Sequence, residues 1–159
     1  MYRRIMVPLD GSKLAECVLS HAQEIAKLSK ASIELVQVIE PVELPTRGGL
    51  ALSIDDLKQI ETHSKNDAEW YLNEIIKRLK NVSIKARSKV LIGKAADSLI
   101  DYIHESNFDL IIMATHGRSG ISRWIWGSVA ERIVRSSSIP VLIIRPPECF
   151  PGYKTSKLS

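Results

Sequence analysis

The sequence predicts an α/β fold, a single doubly wound five-stranded parallel sheet with helices on both faces. Short apolar runs alternate with amphipathic helical stretches along the chain, five of the first and four of the second, the pattern of a parallel sheet wrapped by helices. One run, Asp109-Leu-Ile-Ile-Met113, is unbroken after its first residue, as a strand covered on both faces requires. The length, 159 residues, suits one domain that buries roughly two-thirds of its unfolded surface.

Arg4-Ile-Met-Val-Pro8-Leu-Asp10 reads as the first strand, and Asp10-Gly-Ser as the turn into a helix with Ser12 as its N-cap. Leu14, Val18, Ala22, Ile25 and Leu28 recur at helical spacing and define its inward face. Ser32 to Ile39 is the second strand, ended by Pro41, and the stretch from Pro41 to about Ile54 has no period and reads as a mobile loop. A long helix follows, from Ser53 or Asp55 to Lys80, with Leu57, Ile60, Ala68, Leu72, Ile75, Ile76 and Leu79 inward. Val82 to Val90 alternates apolar and polar residues, as a half-exposed strand does, and Gly93 ends it. Ala95 to Glu105 supplies the next helix, with Ala96, Leu99, Ile100 and Ile103 inward. After the fourth strand and a glycine-bearing loop, Gly127-Ser128 caps a helix that begins at Val129 and stops at Ser136-Ser-Ser and Pro140. Pro140 to Arg145 is the last strand; residues 1–146 form the expected domain and 147–159 a flexible tail.

The composition, 45% hydrophobic and 25% charged, excludes a disordered or fibrous chain. No apolar run approaches the roughly 20 residues of a membrane span, and Pro8 and Asp10 interrupt the only candidate for a signal-peptide core. Cys17 and Cys149 lie far apart, and the four histidines show no ligand spacing, so a reduced cytoplasmic setting without a zinc centre is expected. The net charge of +4 resides in residues 117–145, where Arg118, Arg123, Arg132, Arg135 and Arg145 face only Glu131. That excess favours an anionic ligand near the loop, although Arg132 and Arg135 also suit a solvated helix face.

In a sheet of this kind ligands collect beyond the strands' carboxyl ends, where winding reverses, and both Asp10 and the loop after Met113 lie at such ends. Gly117, Gly120 and Gly127 let backbone N–H groups approach an oxygen-rich anion, and Ser128 adds a hydroxyl at the helix start. The spacing is neither GxxxxGK[ST] nor GxGxxG. Whether Asp10 and the loop are neighbours depends on strand order.

Read together, the words Ile5-Met-Val-Pro-Leu-Asp10-Gly-Ser, Leu35-Val-Gln-Val38-Ile, Thr115-His-Gly117-Arg, Gly127-Ser128-Val-Ala-Glu-Arg and Pro140-Val-Leu-Ile-Ile-Arg145 resemble the universal stress protein family over nearly the whole chain. The resemblance implies a Rossmann-like, adenine nucleotide alpha hydrolase-like domain that binds ATP, with Mg²⁺ as a possible companion. It implies that Asp10 holds the ribose or adenine side, with Pro8 and Leu9 also among the nucleotide-binding residues, that Val38 contacts adenine, and that Met113 and Ala114 line the pocket floor. Gly117, Gly127, Ser128 and Val129 would surround the phosphates, with His116 and Arg118 within reach. It further implies a homodimer through the last strand, Val141 to Ile144; neither nucleic acid nor membrane is expected as a partner.

The family's nucleotide-binding branch carries G-x2-G-x9-G-[ST]; this chain meets it at Gly117, Gly127 and Ser128 and departs at Ala114. With negative φ at residue 114 the loop keeps its course and ATP binds; with positive φ it shifts. Three functions therefore stand open. The first is a nucleotide-linked stress-response regulator with at most slow ATP hydrolysis or autophosphorylation. The second is a dimeric, chaperone-like interaction protein that binds no nucleotide. The third is an ATPase or phosphotransferase with a second substrate pocket formed by residues 41–55.

Overall fold

A computed structural model of the chain describes residues 1–41, 53–115 and 127–145. The strands are β1 (Arg4–Pro8), β2 (Ser32–Ile39), β3 (Ala86–Ile92), β4 (Leu110–Ala114) and β5 (Val141–Ile144). The α-helices are α1 (Val18–Ser29), α2 (Ile54–Asn81), α3 (Ala95–Glu105) and α4 (Ser128–Ser136). All four pairings are parallel and the order is β3-β2-β1-β4-β5, so the winding reverses beside β1. The expected five-stranded α/β architecture is what the chain adopts.

Alternation along the strands divides the core between the two faces. Ile5, Val7, Ile33, Leu35 and Ile112 pack with α1 and α2, whereas Met6, Val36, Ile111 and Met113 pack with α3 and α4. Every residue of β4 is buried, which explains its continuous apolar run. Fully buried side chains such as Ile5, Leu35 and Ile111 each contribute about 1.5–3 kcal/mol relative to exposure.

Local chemistry sets the boundaries and corrects three expectations. The Ser12 hydroxyl accepts from the Ala15 N–H at 3.1 Å, but the turn it caps is a 3₁₀ segment, Ala15–Cys17, and α1 starts only at Val18. The inward face of α1 is Val18, Leu19, Ala22 and Ala26; Leu28 lies outside it, 77% exposed, because six residues past Ala22 is about 240° around the helix. β3 begins at Ala86 and not at Val82, since Ser83 adopts φ of 61° and the Val82 and Ser83 N–H groups bond back to the end of α2.

α2 starts where a capping box closes it: the Ser53 hydroxyl accepts from the Asp56 N–H, and the Asp56 carboxylate accepts from the Ser53 N–H. None of its residues before Ala68 is buried, so Leu57 and Ile60 do not join the core as expected. Length accounts for this. A helix of 28 residues spans about 42 Å, whereas β2 with 8 residues spans about 26 Å, so the amino half of α2 overshoots the sheet.

At the sheet's amino end, β2 carries a buried carboxylate. Glu34, 3% exposed, accepts from Arg4 Nη2 at 2.9 Å, from Arg87 Nε at 2.7 Å and from the Tyr102 hydroxyl. Burial pushes the Glu34 carboxyl up, but Tyr102, Arg4 and Arg87 together outweigh it and hold the group below its ordinary range. The Arg4 guanidinium also lies 4.5 Å over the Phe108 ring.

Candidate functional site

Strand order answers whether the two sequence-predicted segments meet. β1 pairs directly with β4, so Asp10, two residues past β1, and Thr115, one past β4, emerge side by side at the reversal point. Between them and the carboxyl end of β2 lies a recess of about 410 Å³. Pro8, Leu9, Asp10, Val38, Met113, Ala114, Gly127, Ser128 and Val129 all line it. His116, Gly117 and Arg118 lie outside the described residues, as do most of the segment from Pro41 to Ile54, Trp124, Trp126 and the tail from residue 146.

The recess has an apolar floor and polar ends. Val36, Val38, Met113 and Leu99 close one side, and Ala15 closes another. Leu99 and Ala15 belong to helices, which is why a search for strand-end words passed over them; their signal was the inward spacing of those helices.

Asp10 is held by its own turn. Its Oδ1 accepts from the Ser12 N–H at 3.0 Å and from the Ser12 hydroxyl at 2.6 Å, and Gly11 supplies the φ of 83° that the turn requires. Behind it, the Tyr71 hydroxyl of α2 is sealed from solvent and has no hydrogen-bond partner of good geometry among the described residues. Burial, reinforced by the Glu16 and Asp10 carboxylates, pushes this phenol well above its ordinary range.

Two helix amino ends reach the rim, and they differ. At α3 the Ala95 N–H already bonds the Glu40 carboxylate, at 3.2 Å. At α4 the N-cap is Gly127, which offers no side-chain cap, and the first intrahelical bond runs from the Glu131 N–H to the Gly127 carbonyl at 3.0 Å. The N–H groups of Ser128, Val129 and Ala130 thus precede the hydrogen-bond ladder and carry the positive end of the helix dipole. The helix starts at Ser128, one residue earlier than expected, and Gly127 has φ of −59°, open to any residue. Ala114 is not among the residues with positive φ; it ends β4 in extended backbone, 9% exposed, packed in the core beneath α1 and α2. The arginine excess is partly spent locally, because Arg132 pairs with Asp97 and Arg135 with Glu131. Among the described residues no group of three or more histidine, cysteine or acidic side chains is gathered to hold a metal. None of the described helices is long and apolar enough to cross a membrane.

The universal stress protein family profile matches residues 1–145. The chain belongs to that family. A putative universal stress protein of Staphylococcus aureus is 33% identical, covering 99% of this chain and 95% of that one. A universal stress protein of Methanocaldococcus jannaschii is 29% identical over 93% of this chain and 85% of its own. Among solved structures, a second M. jannaschii member superposes with TM-score 0.79 at 25% identity, over 91% of this chain and 96% of that one. Two others share the fold: a universal stress protein in complex with cAMP (TM-score 0.64, 23% identity, 91% and 98% covered) and one from Arabidopsis thaliana with AMP bound (0.63, 14%, 95% and 97%).

Proposed function

We propose that this universal stress protein binds an adenine nucleotide, ATP included, in the recess beside Asp10, and acts in the cytoplasm as a nucleotide-linked regulator of the stress response. The observation that carries the reading is the course of the recess, from an apolar floor suited to a purine to the uncapped amino end of α4 suited to phosphate. Glu40 occupies the other helix end and so directs the phosphates to Ser128 and Val129. Adenine would lie against Val38 and Met113, and ribose beside Asp10. Family structures holding cAMP and AMP support the choice of adenine nucleotides. A Mg²⁺ ion arriving with ATP would draw its ligands from phosphate oxygens and water.

Calorimetric titration of the full chain with AMP, ADP and ATP, with and without Mg²⁺, tests the reading. Saturable heat is expected from wild type and none from Val38→Trp, whose indole fills the floor. Absence of heat from every nucleotide at millimolar concentration rejects it.

We infer as well that two copies pair through β5. That strand stands at the sheet's edge with Val141, Leu142, Ile143 and Ile144 all half-buried, an arrangement that a partner strand would complete. Light scattering at micromolar concentration is expected to give twice the chain mass for wild type and a single chain for Val141→Lys.

A further inference from the structure

We propose that the amino end of the sheet carries an anion-binding site, built from Arg4, Lys85 and Arg87, for a phosphoryl group. A recess of about 350 Å³ opens there, lined by those three cations, Ser32, Ile33 and Ala86. It lies at the end of the strands away from the nucleotide recess: along β2 the one takes Ser32 and Ile33 and the other Val36 and Val38, about 10–20 Å further on.

Sheet register assembles it. Arg4 pairs with Ser32, and the Ile33 N–H bonds the Lys85 carbonyl at 2.8 Å, so β1, β2 and the residue that leads into β3 present Arg4, Ser32 and Lys85 in adjacent positions. Arg87 pairs with Glu34 one step along the same face.

The charges do not cancel. Arg4 and Arg87 both pair with the Glu34 carboxylate while Lys85 lines the recess beside them, and the other nearby carboxylate, Asp109, accepts from the Arg3 and Arg4 N–H groups at 2.8 Å each with the Arg3 charge close by. Lys85 makes no ion pair among the described residues; Arg3, Arg4, Lys85 and Arg87 against Glu34 and Asp109 leave two positive charges in excess. Glu34 takes Nη2 of Arg4, and Nε and Nη2 of Arg87; Nη1 of each guanidinium makes no hydrogen bond among the described residues.

The guanidiniums are also held in place. Glu34 ties both to one oxygen, and Phe108 stacks under Arg4, so little side-chain freedom is lost on binding. The unused Nη1 donors of two guanidiniums beside one ammonium suit a doubly charged phosphoryl group, whose several oxygens accept from all three cations at once. The volume exceeds that of a bare phosphate, so the group arrives either as free phosphate or on a small organic ester.

The test uses the ¹⁵N-labelled full chain, titrated separately with inorganic phosphate and methyl phosphate at ionic strength held constant with chloride. Saturable shifts are expected at the Ser32, Ile33, Lys85 and Ala86 amides; tighter binding of methyl phosphate identifies an ester, and tighter binding of phosphate the free ion. Lys85→Gln, which disturbs no buried partner, and Arg87→Lys, which keeps charge without the fork, are each expected to weaken binding about tenfold. Shifts that grow linearly with both ligands, shifts confined to Ser128–Ala130, or an unchanged affinity in Lys85→Gln would each overturn the proposal.

Discussion

Asp10 and Ser12 are locked together by two hydrogen bonds to one carboxylate oxygen, 3.0 Å from the Ser12 N–H and 2.6 Å from its hydroxyl. The same hydroxyl then accepts from Ala15, so a single side chain orients the candidate ribose contact and starts the helix. Ser12→Ala is expected to cost about 1 kcal/mol of stability, the usual loss for a removed cap, and to weaken AMP binding roughly fivefold by freeing Asp10. Asp10→Asn keeps the accepting oxygen and should preserve stability while losing affinity. Calorimetry with denaturant melts separates the two effects; equal AMP affinity in both variants and wild type would leave Asp10 as a turn residue alone.

Ala114→Gly is expected not to improve nucleotide binding. The alanine methyl sits in extended backbone and is packed into the core, so glycine removes buried surface and adds unfolded-state freedom without relieving any strain. A loss of about 1–2 kcal/mol in urea unfolding should accompany unchanged AMP affinity. A gain in affinity would show that the methyl obstructs the ligand.

These two residues mark how far the sequence could be read. Element order, sheet parallelism and helix inward spacings follow from apolar periodicity, which burial enforces directly. The meeting of Asp10 with Thr115 does not, because strand order depends on how whole layers pack. Ala114 likewise showed its departure from the family pattern in the letters, whereas its consequence rested on a dihedral. Leu57 and Ile60 misled because helical spacing records a face and says nothing of whether a sheet lies beneath it. Glu34 gave no signal at all: an acid within an apolar strand is explained only by Arg4, Arg87 and Tyr102, which are brought together by three different elements.

Glu34 should make stability depend on pH. Its folded pKa is depressed below an unfolded value near 4.5, so its contribution is complete above that value and is lost as pH falls through the folded one. Urea melts between neutral pH and the acid side of that value should show a decline for wild type that is shallower for Glu34→Gln. Glu34→Ala, which leaves two solvent-accessible guanidiniums without their partner and a gap where the carboxylate was, is expected to cost about 1–3 kcal/mol at neutral pH. Parallel pH profiles for wild type and Glu34→Gln would refute the assignment.

Tyr71→Phe is expected to stabilise the fold. Its hydroxyl is sealed from solvent, makes no hydrogen bond of good geometry to the nearby Glu16 carboxylate and faces the negative charge of Glu16 and Asp10, so removing it relieves a poorly satisfied group at no loss of packing. A gain of about 1 kcal/mol in denaturant unfolding is predicted. A comparable loss would mean that the phenol holds a water or a carboxylate in solution.

The Gly127 N–H bonds the Thr115 carbonyl at 2.8 Å, fastening together the two ends of the segment between them. The staple joins the first residue past β4 to the N-cap of α4, so the amino end of that helix is anchored to the sheet by backbone alone, and side-chain substitutions at Thr115 should leave its position unchanged.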